Sequence, residues 1–428
     1  MSNTGSLFNF INKSTSAFHT VLNAQEYLLK YGFKELELTQ DWQLKVDEKY
    51  FVKVYDSTLM AFIPHENLRE GMKIAVSHTD FPCLKLKSNS IVKQNKYGKL
   101  NVEIYGGMIL NTWLDRPLSL AGKVVVQGED CYKPIIKFVD FKRPLMVIPN
   151  LAIHMDRTIN TGKALSKQKE MLPLAFLQED NEADDDKLLS LLAKELACNI
   201  EEILSYDLTV YQVELPYYVG FNSEMISAPR LDNITSVKAC IEGIIADKRR
   251  KGLDMVVLFD NEEVGSRTKQ GGASQLLANL IERIYLACGY TRQAMLTDLA
   301  KSFMLSLDVA HAVHPNYVEK NDLTNKPLLN QGLAIKMVAS QSYAGDAEAI
   351  AIVKSLCNKY KINYQMYVNN SDIPGGSTIG SIVSALLNMR TLDVGIPILA
   401  MHSARETMGK NDQKYLEALV RVFFEGFY

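Results

Sequence analysis

The sequence has no run of about 18 apolar residues, so no membrane-spanning helix is expected. It also has no Cys-x-x-Cys pair. Its six cysteines, Cys83, Cys131, Cys198, Cys240, Cys288 and Cys357, are scattered, which argues against thiolate zinc sites and redox motifs. In a long chain they are expected to be buried free thiols rather than disulfides. The opening residues, Met1-Ser2-Asn3-Thr4-Gly5-Ser6, show no basic segment leading into an apolar one, so no signal peptide and a cytoplasmic location are expected. An excess of charge is missing too. A net charge of −2 gives no electrostatic reason to expect nucleic acid or a membrane as partner.

What remains is a chain of ordinary globular composition, 47% apolar and 22% charged. Its 428 residues suffice for two or three domains. The most informative stretch is Phe259-Asp260-Asn261-Glu262-Glu263-Val264-Gly265-Ser266. It follows the apolar run Met255 to Phe259, which reads as a buried strand. After Gly271 and Gly272, apolar residues at Leu276, Leu277, Leu280, Ile281 and Ile284 predict a helix. Two adjacent glutamates therefore stand where a core strand ends, the edge at which open α/β sheets bind ligands. Neighbouring carboxylates raise each other's pKa. A divalent cation makes that negative charge favourable, and diverging side chains let one glutamate ligate while the other handles a water. A solvated turn is the alternative for an isolated pair.

Similar punctuation recurs. Ile74 to Val76 runs into Ser77-His78-Thr79-Asp80, where Asp80 either holds a ligating His78 or bonds local backbone in a turn. Met304 to Leu307 runs into Asp308, with His311 and His314 beyond as further candidates. Ile396 to Met401 runs into His402. Asp232 precedes a helical pattern (Val237, Ile241, Ile244, Ile245), so it is a helix cap or a ligand. Two histidines and three carboxylates suffice for a pair of zinc-type ions, which in two-metal hydrolysis lie roughly 3.5–4 Å apart. Gly375-Gly376-Ser377-Thr378-Ile379-Gly380 opens a further helix, but without a P-loop lysine. His19 reads as a satisfied side chain between two helices over residues 7–32. His65, beside Glu66 at a strand end, is left unassigned. Glu179 to Asp186 reads as a solvated acidic loop.

Residues 91–149 break into short strands, including Lys99–Ile104, Val124–Val126 and Ile135–Val139. The domain reading is 1–90 and 218–428 for one α/β domain, with 91–217 inserted into it.

The segments Ser77-His78-Thr79-Asp80, Pro229-Arg230-Leu231-Asp232-Asn233, Asp260 to Ser266, Asp308-Val309-Ala310-His311-Ala312, Gly376 to Gly380 and Met401-His402-Ser403 resemble the M18 metallo-aminopeptidases, in order and across the chain. The resemblance implies a zinc-peptidase-like mixed sheet flanked by helices, with a mainly-β dimerisation domain inserted. It implies two Zn2+ per subunit, with Co2+ or Mn2+ as alternatives. The ligands would be His78, Asp232, Glu263, Asp308 and His402, with Asp232 bridging. Glu262 would be the general base, Asp80 would orient His78, and His154 of Ala152-Ile153-His154 would reach a neighbouring subunit's reacting carbonyl. A tetrahedral homododecamer built from dimers, acting on peptides, is implied as well. Two departures matter, one of them Ala404 in Met401-His402-Ser403-Ala404-Arg405-Glu406, where the family usually has a larger residue or proline. Acid-preferring members resemble one another in basic residues before a Tyr-Ala pair, whereas this chain has Ser340-Gln341-Ser342-Tyr343-Ala344. A preference for neutral N-terminal residues is therefore expected. An aspartyl aminopeptidase or a two-zinc N-acyl amino acid hydrolase is the alternative.

Overall fold

A computed structural model describes residues 3–178 and 186–425. The chain forms two compact units. The first comprises Met1–Asp80, Pro216–Met401 and Glu406–Tyr428; the second comprises Phe81–Leu215 with His402–Arg405. The second unit begins before the composition shift near residue 90. The reason is a strand, Cys83–Gln94, that pairs with Tyr97–Tyr105 from its first residue.

The first unit is built on a nine-stranded mixed sheet. Its strands are β1 (Lys34–Glu35), β2 (Tyr50–Val54), β3 (Thr58–Pro64), β4 (Met72–His78), β5 (Leu253–Phe259), β6 (Phe303–Leu307), β7 (Leu333–Met337), β8 (Tyr364–Val368) and β9 (Arg390–Gly395). They lie in the order β1-β2-β3-β5-β4-β6-β9-β7-β8. The centre, β5-β4-β6-β9, is parallel. Every residue of β5 is buried, as a central parallel strand covered on both faces requires. One face packs Ile74, Val76, Met255 and Val257 against Leu277, Leu280, Ile281 and Ile284 of a helix. That helix, Leu276–Ala287, matches the apolar spacing read from sequence.

On the other face lies the helix α1 (Leu231–Ile245), buried nearly all round. It packs against β4 and against the C-terminal helix α2 (Asp412–Glu425). The two helices come so close that a Cβ on Gly243 would meet Val420 Cγ1 at 2.4 Å. Between them Lys238, 1% exposed, places its ammonium 2.7 Å from Glu417 and 3.2 Å from Glu242. Upstream, the helices Asn3–Lys13 and Ala17–Lys30 fill the expected span. Ser16 caps the second, and its hydroxyl lies 2.8 Å from His19 Nδ1, so His19 is indeed satisfied.

The second unit carries a six-stranded antiparallel sheet, ordered 135–140, 118–126, 203–212, 83–94, 97–105 and 174–177. Its strands are longer than the turn signals suggested; Leu118–Val126 runs nine residues where only Val124–Val126 was read. The acidic stretch from Glu179 to 185 lies outside the described residues. Asp186 caps the helix Lys187–Leu196 through the N–H groups of Leu188 and Leu189. All six cysteines are free, three of them buried, with Cys131 exposed. Among the described residues no helix is long and apolar enough to cross a membrane.

The Lys238–Glu417 pair yields a stability test. Removing one partner of a buried pair strands the other charge, so Glu417→Ala should lower the unfolding free energy by about 3–5 kcal/mol. Equilibrium urea denaturation measures this, and a loss under about 1 kcal/mol would mean that Glu242 alone can hold the lysine.

Candidate active site

The parallel register brings three strand ends side by side. Phe259 of β5 stands opposite His78 of β4, and β6 runs alongside β4 on its other flank. Beyond β5 the chain turns through Asn261, at φ 62°, into a short 3-10 turn holding Glu262 and Glu263. Beyond β6 comes Asp308. Asp232 enters from the start of α1.

Both readings of Asp232, cap and ligand, meet the structure here. Its φ and ψ of −78° and 108° are extended values that a cap residue also adopts, but no side-chain cap hydrogen bond is recorded at the start of this helix. Its carboxylate turns instead to His78, with Oδ1 3.4 Å from Nε2. Asp308 Oδ1 lies 3.7 Å from the same nitrogen. Asn233 holds this corner in place, donating to Ser77 Oγ at 3.2 Å and to the Leu307 carbonyl at 2.8 Å. The Asp232 N–H in turn donates to Glu406 at 3.0 Å.

Asp80 anchors the other half. His78 Nδ1 lies 3.0 Å from the Asp80 carbonyl oxygen and 3.4 Å from its carboxylate. That carboxylate accepts the backbone N–H groups of Glu262 at 3.2 Å and Glu263 at 3.1 Å. Asp80 thus ties the histidine strand to the glutamate turn.

So many acids in one buried corner perturb one another. Burial, reinforced by Asp308, Asp80 and Asp232 and opposed by His78, pushes Glu262 up to about 8. Burial would discharge His78, but the hydrogen-bonded carboxylates of Asp232, Asp308 and Asp80 outweigh it and hold the ring well above the ordinary histidine range. Burial also opposes charge on Asp308, yet Lys336, whose Nζ is 3.2 Å away, and His78 keep it below the usual carboxylate value.

The donor atoms suit a divalent ion. His78, Asp232 and Asp308 each offer an atom within 4.8 Å of the others, as do His78, Glu262 and Glu263. Ligands bound at 2.0–2.2 Å in tetrahedral zinc sites stand about 3.3–3.6 Å apart, close to the 3.4 and 3.7 Å separations around His78 Nε2.

Residues 10–424 match the family described as aminopeptidase I zinc metalloprotease (M18). The chain belongs to the M18 metallo-aminopeptidases. It is similar to a probable M18 family aminopeptidase 2 from Clostridium novyi (strain NT), with 44% identity covering 98% of this chain and 97% of that one. It is likewise similar to aspartyl aminopeptidase 4 of Saccharomyces cerevisiae, 39% identical over 97% of this chain and 93% of that one. Among solved structures, a cryo-EM structure of an Ape4 and Nbr1 complex superposes with a TM-score of 0.93 at 34% identity, covering 98% of this chain and 84% of that one.

Two further histidines of this M18 chain line a separate cleft. His311, beyond Asp308, faces the Tyr367 ring at 6.2 Å, and His314 lies 5.0 Å from the Tyr317 ring. Both line a cleft of about 580 Å³ that also includes Lys320, Asn369, Ile373 and Ile398. His154 and His402 belong to the second unit. His154 is exposed, and His402, at φ 67°, has its Nδ1 3.1 Å from the Gly107 carbonyl. Sequence reasoning missed Lys336, Asn233 and Glu406. Only Lys336 left a signal, a lone lysine inside the apolar run Leu333 to Met337.

Since Asp80 fixes both His78 and the glutamate turn, Asp80→Ala should weaken zinc binding about 10–100-fold. Competition with a chromophoric chelator measures this, and unchanged affinity would show that the turn needs no such anchor.

Proposed function

We propose that this chain is a two-zinc aminopeptidase that removes single residues, preferably neutral ones, from the N-termini of peptides. The observation that carries this reading is His78 set between Asp232 and Asp308, with the Glu262-Glu263 turn tied to it by Asp80. His78, Asp232, Glu263 and Asp308 would hold the ions, and the family resemblance implies that Asp232 would be the shared ligand. The family resemblance adds His402. Mixed nitrogen and oxygen donors accept cobalt or manganese as well as zinc.

Zinc, when held by these residues, would supply a water of pKa lowered toward about 7 and a Lewis acid for the scissile carbonyl. Glu262 takes the proton of the attacking water and delivers it to the leaving amine. His154, supplied by a neighbouring subunit, stabilises the developing oxyanion. Its exposure in this chain is compatible with that role.

An assembly follows from the same assignment. The second unit's edge strand, Ile135–Asp140, leaves Ile135 50% and Ile136 44% exposed. An apolar sheet edge of this kind favours pairing with another copy. We assign this unit to dimerisation, within a tetrahedral homododecamer in the cytoplasm.

The neutral preference rests on Ser340-Gln341-Ser342, which puts no positive charge before Tyr343-Ala344. A second reading keeps the mechanism and changes the substrate to N-terminal Asp or Glu. It is favoured by Lys320, His311 and His314 in a cleft with no acid among the described residues that line it. Chromogenic Leu, Met, Asp, Glu and N-acetyl-Leu substrates separate these readings. Faster turnover of Leu and Met than of Asp and Glu is expected, with N-acetyl-Leu inert. Cleavage of Asp and Glu alone selects the second reading, and cleavage of N-acetyl-Leu indicates a deacylase. Glu262→Gln should lower kcat about 10²–10⁴-fold with unchanged metal content. Normal turnover in that variant would remove Glu262 as the base.

A further inference from the structure

At the opposite end of β5 lies a second cluster of the same chemical kind. His65 directly follows β3, Asp254 is the second residue of β5, and Asp247 follows α1. Five residues of strand, about 17 Å, separate Asp254 from the end of β5. His65 is 4% exposed and Asp254 is fully buried within the sheet. Asp247 is equally enclosed, its side chain 5% exposed.

The geometry repeats that of His78. His65 Nε2 stands 3.1 Å from Asp247 Oδ2 and 3.5 Å from Asp254 Oδ2, the spacing of donors around one small ion. The ring's other nitrogen, Nδ1, meets Asp47 Oδ1 at 2.7 Å, the arrangement that fixes a ligating histidine. Each carboxylate spends one oxygen on the protein and aims the other inward. Asp254 Oδ1 accepts Arg249 Nη1 at 2.7 Å, and Asp247 Oδ1 accepts the Arg249 N–H at 2.9 Å. The His65 N–H is satisfied by the Gly252 carbonyl at 2.9 Å. What remains is telling: His65 Nε2 and Asp254 Oδ2 are buried without a hydrogen-bond partner among the described residues. Buried polar atoms are normally paired, and an exception asks for an explanation such as an ion.

We propose that His65, Asp247 and Asp254 form a structural site for a divalent ion of the zinc class, at the sheet edge opposite the catalytic cluster. The ion joins the end of β3, the start of β5 and the segment after α1. Of the three acids around the ring, only Asp254 is shown bonded to the Arg249 guanidinium; Asp247 accepts the Arg249 backbone N–H, Asp47 meets His65, and Lys73 adds a second nearby positive charge. Nothing in the aminopeptidase reaction requires this ion. The competing arrangement is a protonated ring: burial opposes the charge, but Asp247, Asp254 and Asp47 would raise ion-free His65 to about 10.

Wild-type crystals grown with zinc chloride and measured at the zinc absorption edge distinguish the two. An anomalous peak about 2.0–2.2 Å from His65 Nε2 is expected. No peak there overturns the proposal, whatever the catalytic cluster holds, and leaves His65 as a buried cation. In solution, Asp247→Asn should carry one equivalent of zinc fewer per chain than the wild type. Its kcat/KM should stay within about twofold, because the two sites are too far apart to couple strongly. Equal zinc content in the two proteins would also overturn the site.

Discussion

Carboxylates crowded into a buried corner repel one another, and the catalytic unit is arranged around that constraint. Asp80, Asp232, Glu262 and Asp308 converge on His78 where three parallel strands end. Without compensation such a group protonates or opens, because burial and like charge both disfavour ionisation. Lys336 supplies one buried positive charge against Asp308. A divalent ion would supply the rest and turn the repulsion into ligation. The parallel sheet is what makes the geometry available, since only parallel neighbours bring several strand ends to one edge.

The corner is rigid because its supports are backbone groups and buried amides. Asp80 grips two consecutive N–H groups of the glutamate turn. Asn233 ties the start of α1 to both β4 and β6. Neither residue needs to touch substrate to matter. Each fixes where a reacting or ligating carboxylate stands, and a displacement of about 1 Å at such positions is enough to spoil catalysis.

Much of this was legible in the sequence, for a physical reason. A buried parallel strand is an unbroken apolar run, so a polar residue at its end is conspicuous, and His78, Glu262, Glu263 and Asp308 stood out on that ground. Asp232 did not. A carboxylate before a helix is ordinarily a cap, and only its approach to His78, far away in sequence, points to another use. Asn233 and Glu406 act through contacts distant in sequence, which no local pattern records. His311 and His314 carried the right chemistry in the right segment, yet they line a neighbouring cleft. The strand at Cys83–Gln94 hid its continuity behind polar alternation, so the second unit starts earlier than composition suggested. His65 was unreadable because its partners come from three other places in the chain.

The most direct test of the central claim is calorimetric titration of metal-free protein with zinc in buffers of different ionisation enthalpy. If the buried carboxylates and His78 await a divalent ion, binding must expel the protons that they hold in its absence. The observed enthalpy should then vary with the buffer, and Asp232→Asn should weaken the binding. Zinc binding with no proton release, or binding indifferent to Asp232, would contradict the account.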